Sequence, residues 1–129
     1  MNHDEKLKYA RQVRAEVVGL DYLSKLGPNP SKFQLAFQDF VEEQCWASVW
    51  VRPGLSRKTR SMLNLAMLAA MARWTEFAVH VRGALNNGVE EDEIIEIVLQ
   101  AGVYAGVPIA AEGMRTAERV INEARKAAP

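Results

Sequence analysis

The chain has 129 residues, of which 49% are hydrophobic and 25% charged, a balance that excludes a disordered, collagen-like or disulfide-stapled protein. Its 16 basic and 16 acidic side chains cancel, so the basic excess typical of nucleic-acid-binding proteins is absent and no nucleic-acid partner is expected. The purest apolar run, Leu63–Ala72, is interrupted by Asn64 and is much shorter than the ~20 residues of a membrane span. The N-terminus also lacks an apolar signal core, so we expect a cytoplasmic protein with no membrane partner.

Hydrophobic periodicity predicts about six helices and no strand. Apolar residues recur at spacings of three and four, as in amphipathic helices, and no stretch shows the sustained alternation of a β-strand. The predicted helices span, in chain order, residues 4–18, 32–50, 57–73, 76–87, 90–104 and 109–124. We therefore expect a single all-α domain over residues 1–129.

Capping residues and helix breakers separate these predicted helices. Residues 19–30 contain two glycines and two prolines, which predicts a connector between the first and second helices. The predicted N-caps are Asp4, Ser31, Ser56 and Thr75, and the predicted glycine stops are Gly19 and Gly88. The third helix becomes apolar on nearly every side after Ser61, so it is predicted to lie at the centre of the fold.

His80 and Glu76 are the sharpest candidates for chemistry. They lie four residues apart on a predicted helix and therefore share one face. A carboxylate within reach of an imidazole can fix its tautomer and raise its pKa, which suits general acid/base catalysis. The same spacing is also typical of a Glu–His pair on a protein surface, and the spacing alone leaves both interpretations open.

Arginines are the second candidate feature. Arg52, Arg57 and Arg60 cluster around one predicted turn, and Arg73 and Arg82 flank the helix of His80. Guanidinium groups bind carboxylates through two parallel hydrogen bonds, so these residues could hold an acidic substrate. A solvated basic face, or salt bridges to the acidic fifth helix, would produce the same pattern.

Other common catalytic features are absent from the sequence. Cys45 is the single cysteine, and without a resolving partner it is interpreted as a small hydrophobic residue rather than a redox centre. No ligand spacing indicates a metal site, and no glycine-rich loop indicates phosphate binding. The sequence therefore predicts neither a metal nor a cofactor.

Four segments carry a resemblance to a known family. They are Cys45-Trp46-x3-Trp50-x-Arg52-Pro53-Gly54-Leu55-x-Arg57-x-Thr59-Arg60-Ser61-x-Leu63, Glu76-x3-His80-x-Arg82-x-Ala84-x-Asn86-Asn87-Gly88, Glu93-Ile94-x-Glu96-x3-Gln100 and Tyr104-x-Gly106-x-Pro108. In order and spacing, the chain from Lys6 to Ile121 closely resembles the carboxymuconolactone decarboxylase family. The resemblance implies the helical fold of alkylhydroperoxidase-D-like proteins and a ring-shaped homo-oligomer, with a hexamer expected.

The resemblance also implies an activity. The family removes CO2 without a cofactor from γ-carboxymuconolactone, a carboxylated unsaturated lactone, and forms the β-ketoadipate enol-lactone of aromatic catabolism. His80 would then act as the general acid/base, with Glu76 orienting it. The arginines expected to bind the carboxylates of the substrate are Arg52, Arg57, Arg60 and Arg73.

Three alternatives accompany this reading. A relative that opens or isomerises a lactone would use His80 without releasing CO2, and an assembly subunit would have no catalytic role. The peroxidase branch of the superfamily carries Cys-x2-Cys-x3-His, but Arg73 and Glu76 occupy the two cysteine positions here, so peroxidase activity is not expected. The departures from the decarboxylase pattern leave the substrate open; they are Ala47, Ser48, Ala72 and Ala111.

Overall fold

A computed structural model describes residues 1–25 and 27–128, in which every regular element is helical. In this part of the chain the elements are α1 His3–Val18, α2 Leu20–Ser24, α3 Lys32–Val41, a π-helical segment Glu42–Trp50, α4 Arg57–Ala70, α5 Trp74–Asn86, α6 Glu91–Ala105 and α7 Val107–Ala127. The predicted all-α class is confirmed. The chain forms two compact units, an N-terminal one that begins at Met1 and a C-terminal one that begins at Arg57. Across the described residues, the helices are too short or too polar to cross a membrane.

The first helix begins earlier than predicted. Asn2, not Asp4, is the N-cap, because the Asn2 side chain accepts from the Glu5 amide while the Glu5 carboxylate accepts from the Asn2 amide, both at 2.9 Å. Asp4 lies inside the first turn, where its charge still favours the helix dipole. The predicted end is confirmed, since Gly19 follows Val18 with a φ of 89°.

The connector and the second predicted helix both differ from expectation. Residues 20–24 of the connector form the short helix α2, whereas Leu26 lies outside the described residues. Ser31 is the N-cap of α3, as predicted. The predicted helix over residues 32–50 is divided in two, because the α-helical hydrogen-bonding pattern ends at Val41 and a π-helical segment follows it. There the Val51 amide donates to the Trp46 carbonyl, five residues earlier, at 3.2 Å. The wider turn accompanies the stacking of the buried Trp46 and Trp50 rings at 5.0 Å.

In the C-terminal unit, α4 packs against α5, α6 and α7, so the prediction of a central helix is confirmed within this unit. Buried apolar side chains from all four helices form one core; the largest of them are Phe77, Leu65, Ile94, Val81 and Val98. The α4–α5 turn comes earlier in the chain than predicted, because α4 ends at Ala70, α5 begins at Trp74 and Ala72 between them adopts a φ of 56°. Arg73 therefore precedes α5 as its N-cap, and the predicted cap Thr75 lies in the first turn.

The α6–α7 hairpin turns at Gly106, which has a φ of 118°. Helix α7 begins before its predicted start, with Pro108 in the first turn, where proline is tolerated because the first amides of a helix have no partner within it. Close backbone approach requires a glycine on α6: a Cβ on Gly102 would lie 2.5 Å from the Cβ of Ala110. Small residues therefore determine how closely these two helices approach.

Candidate active site

His80 lies on α5 with its ring half-buried against α4. The Nδ2 amide of Asn64, in the middle of α4, is 3.4 Å from the His80 Nδ1 atom. Asn64 was not among the candidate residues of the sequence analysis. The signal that could have identified it is a lone amide within the apolar run Leu63–Ala72, since a half-buried amide needs a hydrogen-bond partner.

The environment of His80 favours the neutral ring. Burial lowers the pKa of His80 below its usual 6.5, and the negative charge of Glu76, one turn earlier on α5, raises it by less. Glu76 raises the pKa of His80, as expected from its position one turn away. The expectation of a raised net pKa is nevertheless wrong, because the desolvation of the ring lowers the pKa by more than the exposed Glu76 carboxylate raises it. Near pH 7 the imidazole is mainly uncharged.

A second polar contact holds α5 against α4. The Asn87 Nδ2 atom donates to the hydroxyl of the fully buried Ser61 at 2.8 Å and to the Arg57 carbonyl at 3.5 Å. Asn87 follows the last residue of α5, so the contact ties the end of that helix to the beginning of α4. It fixes the register in which Asn64 lies opposite His80.

The predicted arginines occupy three different places. Arg57 and Arg60 lie half-buried in the first turn of α4, and Arg60 is one turn from Asn64 on the same face of that helix. Arg73 is exposed beyond the other end of α4, about 20 Å from Arg57 along the helix at 1.5 Å per residue. Arg52 is exposed in the N-terminal unit. Within the C-terminal unit, Arg57 and Arg73 are thus too far apart to bind the same carboxylate.

The basic start of α4 also has a structural explanation. Lys58 Nζ lies 3.1 Å from a carboxylate oxygen of Glu93 in the first turn of α6. The pKa of Glu93 is lowered first by its hydrogen bond with the Glu90 backbone and then by Lys58. A salt bridge between the first turns of α4 and α6 therefore accounts for Lys58, whereas the salt-bridge alternative in the sequence analysis concerned the arginines.

Cys45 lies in the π-helical segment of the N-terminal unit. Burial raises the pKa of its thiol more than Arg14 and the Trp50 hydrogen bond lower it. A thiol that resists ionisation is a poor nucleophile, which agrees with the interpretation of Cys45 as a packing residue.

Two cavities are prominent in the C-terminal unit. One, of about 670 Å³, has an apolar floor that includes Met62 and Ile97 and a rim that includes Asp92 and Glu96. The other, of about 540 Å³, lies between α5 and α7. Two arginines that line it form ion pairs, Arg115 with Glu112 and Arg119 with Glu123. Neither cavity is lined by His80 or Glu76. The acidic rim of the first is unfavourable for an anion.

Comparison with known proteins supplies the family. The family model described as the carboxymuconolactone decarboxylase family matches residues 36–119. A 4-carboxymuconolactone decarboxylase of Acinetobacter baylyi is 38% identical over 123 residues, which cover 95% of this chain and 92% of that protein. This chain belongs to the carboxymuconolactone decarboxylase family. A nitrosuccinic acid decarboxylase of Metarhizium robertsii is 42% identical over 120 residues, which cover 93% of this chain and 81% of that protein.

The resemblance seen in the motifs is thus confirmed, and the enzyme class follows from it. Both relatives are decarboxylases, which assigns this member of the carboxymuconolactone decarboxylase family to the carboxy-lyases. Within its C-terminal unit, the α4–α5 hairpin carries the half-buried imidazole of His80 and, one turn earlier on α5, the carboxylate of Glu76. On α4, Arg60 lies one turn from Asn64, whose amide contacts His80. These groups can donate hydrogen bonds to a developing negative charge, relay a proton and bind a carboxylate.

Proposed function

We propose that this protein decarboxylates a small carboxylated unsaturated γ-lactone, with 4-carboxymuconolactone as the first candidate substrate and the β-ketoadipate enol-lactone as its product. The observation that carries the proposal is the half-buried His80 ring, held by Asn64 in a chain whose relatives remove CO2. These relatives favour decarboxylation over the lactone-opening and assembly-subunit alternatives. The place of the reaction would be aromatic catabolism.

The chemistry of such a substrate explains why His80 would suffice. Breaking the bond to the leaving carboxylate releases CO2 and leaves an electron pair, which the C=C bond conjugates to the lactone carbonyl. The substrate is thus its own electron sink, and no metal or organic cofactor is needed. His80 would donate a hydrogen bond to the oxygen on which charge collects and relay a proton to carbon, so one solvent proton is taken up per CO2.

The second candidate substrate is a nitro-substituted dicarboxylate such as nitrosuccinic acid. It is favoured by the 42% identity to the decarboxylase named for that compound. A nitro group also accepts the electron pair left by CO2, so the same His80 chemistry applies. The departures from the lactone-decarboxylase pattern make this comparison necessary; they are Ala47, Ser48, Ala72 and Ala111.

Carboxylate binding is proposed for the arginines. Among the candidate arginines of the C-terminal unit, Arg60 lies nearest to Asn64 along the chain, one helical turn away on α4. Arg57 lies one turn further from Asn64 on the same helix. Arg52 and Arg73 remain proposed contributors to the same function. Because Arg73 lies far from Arg57 along α4, we propose that different arginines serve different carboxylates or different copies of the chain.

A ring-shaped homo-oligomer, with a hexamer as the expected form, is supported by apolar surface on the C-terminal unit. Exposed apolar stripes run along α4 and the residue after it, and along α6; they comprise Leu63, Met67 and Met71, and Ile95, Leu99 and Val103. Contiguous apolar surface of this kind is typical of interfaces, and the zero net charge adds no repulsion between copies. Light scattering at micromolar concentration should report an oligomer, and a stable monomer would contradict the proposal.

A direct assay tests the function. Purified protein is incubated separately with 4-carboxymuconolactone and with nitrosuccinic acid, and both CO2 and the organic product are followed, with a folded His80→Ala variant as the matched control. We expect CO2 release from one substrate at a rate well above that of the variant. Failure of the wild-type protein with both compounds would reject both candidate substrates.

A further inference from the structure

We propose that Asn64 is a positioning residue that holds the neutral ring of His80 in the tautomer protonated on Nε2, which makes Nε2–H the group presented to substrate. The catalytic half of this inference rests on the function proposed above. The tautomer itself depends only on the contact between α4 and α5, so it can be tested without any substrate.

The donor chemistry of the contact determines the tautomer. The Nδ2 atom of Asn64 carries two hydrogens and cannot accept a hydrogen bond. At 3.4 Å from Nδ1 of His80, it can only donate to a lone pair on that nitrogen. A neutral imidazole carries one N–H, so when Nδ1 is the acceptor the proton is on Nε2.

The surroundings keep this contact in place. Asn64 lies in the middle of α4, and its half-buried amide contacts the half-buried ring of His80 on α5. The Asn87–Ser61 hydrogen bond fixes the register of the two helices. Glu76 on α5 is the charge that acts on the ring, and Arg60 lies one turn from Asn64 on α4. Burial lowers the pKa of His80, which favours the neutral ring to which the tautomer argument applies.

This arrangement defines how His80 would act. A neutral ring with Nε2–H can donate a hydrogen bond to the oxygen that becomes negative as CO2 leaves, without first being protonated. Replacing the amide by a carboxylate would reverse the polarity of the contact. In Asn64→Asp, the carboxylate can only accept, so the neutral ring would carry its proton on Nδ1 and would lose the Nε2–H donor.

The test is nitrogen NMR of the full chain labelled with 15N-histidine. The chain has two histidines, so His3→Gln leaves a single imidazole signal set from His80. The two ring-nitrogen shifts are measured above the pKa of the ring, where a protonated and an unprotonated nitrogen are well separated. We expect Nε2 protonated in the His3→Gln background and Nδ1 protonated once Asn64→Asp is added. Asn122→Asp, the same change at an exposed site on α7, should leave the tautomer unchanged.

Either of two results overturns the proposal: a proton on Nδ1 in the folded His3→Gln protein, or an unchanged tautomer in folded Asn64→Asp. The first needs no substitution at Asn64, so the proposal remains testable if that variant does not fold. With an active substrate, kcat of the wild type should stay level as the pH rises above neutrality, whereas kcat of Asn64→Asp should fall. An Nε2–H tautomer in a protein that turns over neither candidate substrate would reject the function and leave the positioning role of Asn64 intact.

Discussion

Replacing Gly102 with alanine should destabilise the C-terminal unit through one contact. The added Cβ would lie 2.5 Å from the Cβ and 3.3 Å from the Cα of Ala110, whereas carbon atoms in van der Waals contact are about 3.5–4.0 Å apart. Both neighbouring atoms are fixed to the α7 backbone, so no side-chain rotation can relieve the clash. Overpacking of this kind costs about 1–3 kcal/mol, and we take the upper value here.

The helix itself partly offsets this cost. Alanine is favoured over glycine within a helix by about 1 kcal/mol, which leaves a net loss of about 2 kcal/mol in the free energy of unfolding. For a chain of this size, such a loss corresponds to a fall in Tm of about 8 °C. Thermal and urea denaturation at one fixed protein concentration would measure it, because association makes Tm depend on concentration.

Two glycines provide matched controls for Gly102→Ala. A Cβ on Gly54 meets no atom within 4 Å, so Gly54→Ala should leave the free energy of unfolding nearly unchanged. A Cβ on Gly113 would lie 2.9 Å from a methyl of the Val98 side chain, which can move, so Gly113→Ala should cost less than Gly102→Ala. If Gly102→Ala unfolds with the same Tm as the wild type, α6 and α7 are not as close as described and the reasoning fails.

The remaining predictions concern the proposed site. In a steady-state assay of CO2 release, we expect His80→Ala to lower kcat by about 10²–10⁴-fold and Glu76→Gln to lower it less. If folded His80→Ala turned over as fast as the wild type, His80 would have no part in the mechanism. Burial lowers the pKa of His80 in the folded state, so below about pH 6.5 the unfolded chain binds more protons than the folded one. The free energy of unfolding should therefore decrease as the pH is lowered through this range. His80→Gln should flatten that dependence in urea titrations at several pH values, and an identical pH dependence would contradict the burial argument. Arg52→Gln or Arg57→Gln should mainly raise KM, and a loss confined to kcat would exclude uniform carboxylate binding. Cys45→Ser and EDTA should leave most activity, whereas loss in EDTA that one metal restores would reveal a metal site.

Local chemistry made much of the fold predictable. The hydrophobic periodicity of the described helices, the Ser31 cap and the Gly19 stop depend on residues within one or two turns, so the sequence by itself was sufficient for them. The one-turn spacing of Glu76 and His80 is likewise a property of any helix. The first cap was misplaced by two residues because Asn2 and Glu5 form a reciprocal pair that competes with Asp4.

Contacts between helices decided the rest. The spacing of Glu76 and His80 suggested a raised pKa, but the packing of α5 against α4 desolvates the ring and reverses the net direction. No pattern along the chain pairs Asn64 with His80, because the two residues are 16 apart and meet only when the α4–α5 turn closes through Ala72 in a conformation rare for alanine. A hydrogen bond between two helices and the desolvation of a ring both depend on which surfaces meet, and only the tertiary structure brings those surfaces together.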